Sequence, residues 1–324
     1  MAARQTPDEA PTAMSSPASR ITPRVERKPR PRRRSIPRLN PEMACDTAFR
    51  VIARGCLEDL TANHQATCDS DHTALHEMRV ALTRLRAAIS FFSPMAVDAS
   101  ATRLKRELKW LNARLGATRD VDVAIERLEA TARLQPQAES DDRFWAQKSA
   151  DSHRDLARAL RSVRYRRLIK NLSAWIESGP WSVAGDKQVE KRRARPIVRY
   201  SAWKLAQWHE KLLKKAGRLE AMGATKRHRL RLASKRLRYS VEFFADLLKA
   251  PSMKASLKHL RKAQQSLGEL NDAINSQALM TTLQRNAQNS GDALQHRDRK
   301  RERQLMRSAV RAYRKMDELK PLYH

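Results

Sequence analysis

Glycine and aromatic residues are scarce in this chain, and carboxylates are heavily outnumbered. Only 8 of the 324 residues are glycine, and Phe, Trp and Tyr together make up 5%. So little glycine argues against turn-rich sheet architectures, while abundant Ala, Leu, Arg, Glu and Lys point to long helices. The sequence therefore predicts an all-α fold. The three cysteines, Cys45, Cys56 and Cys68, are odd in number and lack C-x-x-C spacing, which fits neither a disulfide framework nor a zinc ribbon. Reduced thiols in a cytoplasm are the expectation. No apolar run approaches the ~18 residues of a membrane span, and no charged-then-apolar leader opens the sequence, so a soluble cytoplasmic protein is expected.

What is plentiful is positive charge. Sixty-six Lys+Arg face 35 Asp+Glu, a formal net charge of +31. An excess of this size predicts attraction to a nucleic acid, an anionic membrane or another polyanion. Residues 1–41 hold 8 of the 14 prolines and carry 10 Lys+Arg against 3 Asp+Glu, or +7. With almost no bulky apolar residues, that tail cannot bury enough surface to fold. Its RPRRR run, Arg30 to Arg34, reads as a polyanion-binding arm, a targeting signal or simply a solvated tail. Subtracting +7 from +31 leaves +24 on residues 42–324, so the folded part is itself basic.

Comparing the chain with itself is more informative. The stretch His76-Glu-Met-Arg79-Val-Ala-Leu-Thr-Arg84-Leu-Arg86-Ala-Ala-Ile-Ser-Phe91-Phe92 matches residues 228–244 at 8 of 17 positions. The offset is 228 − 76 = 152. The same offset carries Leu115-Gly116 onto Leu267-Gly268 and Asp120 onto Asp272. One helical unit is duplicated, with halves at about 42–185 and 186–324. Each copy reads as a His-headed helix, a short break, and a leucine-seamed helix ending at Gly116 or Gly268. The glycine suits a helix C-cap, and the aspartate four residues on suits the N-cap of the next helix.

At about 100° per residue, His76, Arg79, Thr83 and Arg86 share one side of the first helix, opposite Met78, Leu82, Leu85, Ile89 and Phe92. His228, Arg231, Lys235 and Arg238 take the same places in the second copy, with Arg84 and Arg236 on the flank. Arg106 and Lys109, with their equivalents Lys258 and Arg261, add basic groups from the following helices. Like charges set this densely call for an anion. Guanidinium forks pair bidentately with phosphate oxygens, and lysine adds a mobile point charge. Each arginine read singly is equally a solvated side chain or a partner of a nearby carboxylate.

His76 and His228 invite a metal-ligand or phosphoryl-acceptor reading. Adjacent arginines would repel a cation, so no metal is expected there. Anion contact or a bond to a backbone carbonyl fits each histidine. Asp120, Asp122 and Asp272 read as helix caps, or as holding Arg119, in preference to metal ligands.

Three motifs together resemble the CHAD domain family, named for conserved histidines in an α-helical domain. They are H-x-x-R-V-x-x-x-R-L-R from His76, L-G-x-x-R-D-x-D-V from Leu115 to Val123, and H-x-L-R-x-x-x-K-R-L-R-Y from His228. Ser162 to Leu168, with Trp175, also looks like the family's mid-domain stretch. The resemblance covers residues from about 42 onward. It implies two pseudo-symmetric four-helix bundles around a basic central channel, with inorganic polyphosphate as ligand and polyphosphate granules as a place of residence. Carried over by position, the ligand contacts would be His76, Arg79, Arg84, Arg86, Arg106, Lys109, His228, Arg231, Lys235, Arg236, Arg238, Lys258 and Arg261. Thr83 stands where many relatives carry a base, and Asn271 stands at the repeat position of Arg119.

Three functions compete on this reading. Non-catalytic polyphosphate binding, needing no cofactor, comes first. A nucleic-acid-binding protein is the alternative, although the stripe lacks interleaved aromatics for stacking. Catalysis through His76 or His228 would need a paired carboxylate or a metal beside them. There is neither an E-x-E-x-K signature nor a G-x-x-x-x-G-K-[ST] phosphate loop. The sequence leaves the oligomeric state open.

Overall fold

The computed structural model describes residues 38–96, 98–132, 142–183, 187–248, 251–283 and 292–319. Most of the basic tail and the expected half-boundary near residue 185 lie outside them. The described residues form twelve α-helices: α1 (Cys45–Ala62), α2 (His64–Cys68), α3 (His72–Phe91), α4 (Ala99–Ala132), α5 (Asp142–Arg161), α6 (Val163–Ser178), α7 (Lys187–Ala194), α8 (Ile197–Ala216), α9 (Ala224–Phe243), α10 (Ala245–Leu248), α11 (Pro251–Leu283) and α12 (Asp292–Asp317). Apart from a single bridge between Ala44 and Pro196, they contain no β pairing. No helix among them is long and apolar enough to cross a membrane.

The repeat offset recurs in the helix boundaries. α9 starts and ends 152 residues after α3 (224 − 72 and 243 − 91), and α11 starts 152 after α4 (251 − 99). The register reaches further than residue identity did, because α8 also starts 152 after α1 (197 − 45). In the first half α1 packs on α3, α3 on α4 and α4 on α5. In the second, α8 packs on α9, α9 on α11, α11 on α12, and α12 returns to α8.

Local chemistry explains where α3 and α4 begin. The Asp71 carboxylate accepts from the Thr73 and Ala74 amides at 2.8 and 2.9 Å, filling the first-turn donors of α3. Asp98 does the same for Ala101 at 2.7 Å, and its other oxygen accepts from Trp175 Nε1 at 2.9 Å, pinning α4 to α6. α3 then buries Leu75, Met78, Leu82, Leu85 and Phe91.

The halves meet through the phenylalanine pairs that end the repeated helices. Phe91 lies 5.0 Å from Phe244, ring centre to ring centre, and Phe92 lies 6.4 Å from it. Tyr200 of α8 packs edge-on to Phe91 and donates its hydroxyl proton to the Phe91 carbonyl at 3.0 Å. This aromatic knot brings α3 against α9, and α4 packs on α11 beside it.

The glycine and aspartate expectations need correction. Gly116 and Gly268 do not cap helices: α4 and α11 run straight through them, so Asp120 and Asp272 sit mid-helix. The leucine seams continue beyond the glycines, and burial of those seams outweighs the ~1 kcal/mol that a helical glycine costs. A Cβ at Gly116 would meet no atom within 4 Å. Gly116→Ala should accordingly raise the unfolding free energy by about 0.5–1 kcal/mol in urea titration, whereas a glycine cap would give a loss.

Candidate functional site

Arg79 of α3 and Arg231 of α9 hold equivalent places in the two repeats, and where the helices cross each lies in the other's electrostatic field. Arg119 and Asp120 join them from α4, Asp272 from α11, and Lys235 and Arg238 from later turns of α9. One arginine of each cationic row, Arg79 and Arg231, is therefore brought beside the other, with Lys235 next to both. Arg231 runs along Gly268, where a Cβ would stand 3.9 Å from its Nε, and that Nε is buried with no hydrogen-bond partner.

The flanks of the cluster are already neutralised. Arg119 donates to both oxygens of Glu126 at 2.8 and 3.2 Å. Arg238 donates to Gln264 Oε1 and Glu242 Oε1, each at 2.8 Å, and lies 4.2 Å from the Tyr239 ring centre. At the centre Arg79, Arg231 and Lys235 are set against Asp120 and Asp272. Burial pushes Lys235 down to about 8, and repulsion from Arg231, Arg79 and Arg238 adds to this against the pull of Asp272. Burial, then Arg119 and Arg231, lowers Arg79 against the pull of Asp120. Burial and Asp272 push Asp120 up. Lys235 is thus first a buried lysine and second one crowded by three arginines.

The remaining sequence candidates spread outward. His76 is exposed on α3. His228 is exposed, with Nδ1 2.9 Å from Asn271 Oδ1, beside a recess of 320 Å³ that Arg227 and Arg229 share. Asn271, which lacks the charge of Arg119, thus positions a histidine. Arg86 is lowered by burial and then by Arg236, which joins Lys204, Lys211 and Lys215 around another recess. Arg106 lines a separate recess with Arg103, Arg164 and Arg167, and Lys109 is exposed on α4.

Arg84 does not join the ligand-facing set. It is 4% exposed, its Nη1 lies 3.9 Å from Asp59 Oδ2, and its guanidinium lies 5.3 Å from the Phe243 ring centre. Its place on the helix flank turns it into the interior between α1 and α9, where it ties the halves together.

Lys258 and Arg261 line a groove of 1320 Å³ between α11 and α12, opposite Arg303, Arg307, Arg311 and Lys315. No Asp or Glu stands among its described lining residues. Sequence reading missed the α12 wall, although those four cations recur every fourth residue and so fall on one helical face. Glu242 links groove and cluster, accepting from Arg238 at 2.8 Å and from Arg261 at 3.4 Å.

The sequence matches the CHAD domain family over residues 51–281, more than half of the chain. The chain belongs to the CHAD domain family. A crystal structure of the CHAD domain from the plant Ricinus communis superposes with a TM-score of 0.70 at 28% identity, covering 90% of this chain and 98% of that one. No curated protein matches the sequence. In this CHAD domain the helices that carry the family motifs are those that bring Arg79, Arg231 and Lys235 together.

Because Lys235 titrates near 8 in the fold and near its usual 10.5 when unfolded, the unfolded chain binds more protons between those values, and stability rises with pH across that window. Lys235→Met should melt above wild type at pH 7, and the gap should narrow as pH approaches 10.5. Differential scanning calorimetry at low salt measures both.

Proposed function

We propose that this CHAD domain is a non-catalytic binder of inorganic polyphosphate, held in a basic channel between two pseudo-symmetric four-helix bundles. The carrying observation is the convergence of Arg79, Arg231 and Lys235 from equivalent helices on one half-buried spot, with an arginine nitrogen left unpartnered. A phosphate oxygen there satisfies Arg231 and relieves the repulsion on Lys235, while Asp120 and Asp272 keep the cations placed when no ligand is bound. Family membership supports polyphosphate as the polyanion, and association with polyphosphate granules follows as part of the same proposal.

The ligand is polymeric on this reading, because cations continue beyond the cluster. A chain leaving Arg238 meets Arg261 and then the α12 wall, with His228 and Arg236 marking other ways out. Such binding rests on charge and phosphate hydrogen bonds, so affinity should fall steeply as salt rises.

Titration of long-chain polyphosphate into the Arg79→Gln/Arg231→Gln/Lys235→Gln variant should show about a thousandfold loss of affinity, some 1.4 kcal/mol for each of the three contacts removed. Circular dichroism establishes that the variant folds. At equal phosphate concentration polyphosphate should displace duplex DNA and single-stranded RNA from the wild type; displacement in the opposite direction would favour the nucleic-acid alternative and reject this one. Orthophosphate release with magnesium, absent from a His76→Ala/His228→Ala variant, would overturn the non-catalytic part.

Replacing Arg303, Arg307 and Arg311 with glutamine should leave the affinity for short oligophosphates within about twofold and weaken long chains by roughly tenfold or more, with a shallower salt dependence. Isothermal calorimetry across chain lengths reads this directly.

A further inference from the structure

A second polar cluster lies in the first half, built from His72 in the opening turn of α3, Asp122 of α4 and His153 of α5. Asp122 has no side-chain exposure and His153 has 4%, whereas His72 is 57% exposed. Asp122 Oδ1 lies 3.0 Å from His153 Nε2, and Oδ2 lies 3.2 Å from His72 Nδ1. Yet Oδ2 is buried with no hydrogen bond, and so is His153 Nδ1. The nearest guanidinium, Arg119 at 4.0 Å, is already held by both oxygens of Glu126. A buried carboxylate is left with one oxygen facing each imidazole and no full counter-charge.

The repeat does not preserve this trio. Adding 152 to 72, 122 and 153 gives Ala224, Ile274 and Leu305, all apolar. The sequence repeat thus carries apolar residues at the positions where the first copy has two histidines and an aspartate.

We propose that His72, Asp122 and His153 form a binding site for a divalent transition-metal ion of the zinc class. One ligand atom from each lies within 4.8 Å of the others. Metal–ligand bonds of about 2.0–2.2 Å require separations of roughly 3–3.5 Å, which the exposed His72 reaches by turning inward. Two imidazoles and one carboxylate select borderline ions such as Zn²⁺ or Co²⁺ over Mg²⁺ and Ca²⁺. The ion takes up the charge on Asp122, leaves its remaining positions open on the His72 side, and staples α5 to the start of α3. That is one turn ahead of His76 on the same helix.

The untagged full chain, stripped with chelator and assayed without polyphosphate, should take up one Co²⁺ per molecule with visible d–d absorption, and Zn²⁺ should bleach it. Competition against a chromophoric chelator should show His72→Ala and Asp122→Asn each losing more than about a hundredfold in Zn²⁺ affinity, beyond the loss usual for groups that merely support a ligand. His64→Ala should bind as wild type. Because His72 is exposed, its variant should keep the wild-type circular dichroism, and Zn²⁺ should raise the melting temperature of wild type alone. No stoichiometric uptake by wild type, or uptake that survives His72→Ala, overturns the assignment and leaves the reading of the arginine cluster untouched.

Discussion

Like charges are held together here by apolar contact elsewhere. Phe91 and Phe92 end one repeated helix, Phe243 and Phe244 end the other, and their packing with Tyr200 fixes α3 against α9. Burial of a phenylalanine contributes about 1.5–3 kcal/mol, and several rings acting together outweigh the repulsion between a few partly solvated cations. With that junction in place Arg79, Arg231 and Lys235 cannot separate. Burial first, and then the arginines held beside it, lower the proton affinity of Lys235. A site that already holds the unfavourable charge has little reorganisation left when an anion arrives.

The carboxylates around the cluster set its geometry more than its charge. Glu126 and Glu242 hold the outer arginines by direct hydrogen bonds, so Arg119 and Arg238 are fixed before a ligand comes. Asp120 and Asp272 lie between the central cations from equivalent helices, close enough that Asp272 raises the proton affinity of Asp120. Arg79 with Arg231, and Asp120 with Asp272, are pairs of repeat counterparts that lie in one another's field.

Away from the junction the halves have diverged. Asn271 replaces the arginine charge and turns to His228, and the repeat positions of His72, Asp122 and His153 carry apolar residues. Arg84 and Arg236 show the same divergence within one motif: the first is buried against Asp59 and Phe243, and the second stays exposed. The motif letters are identical, so only the packing around each separates a strut from a surface cation.

The sequence determined the helical class, the 152-residue register and the polar face that carries Arg79, Arg231 and Lys235, because periodicity and repetition are local properties of a chain. It misled at Gly116 and Gly268, where a local capping preference of about 1 kcal/mol lost to leucine seams that continue past them. The tertiary structure alone decided that Arg79, Arg231 and Lys235 converge, that Asp120 and Asp272 act on them, that Arg84 is interior, and that His72, Asp122 and His153 from three separate helices come together. Each depends on helix crossings set by side-chain packing between distant segments, and no window of the sequence contains both partners.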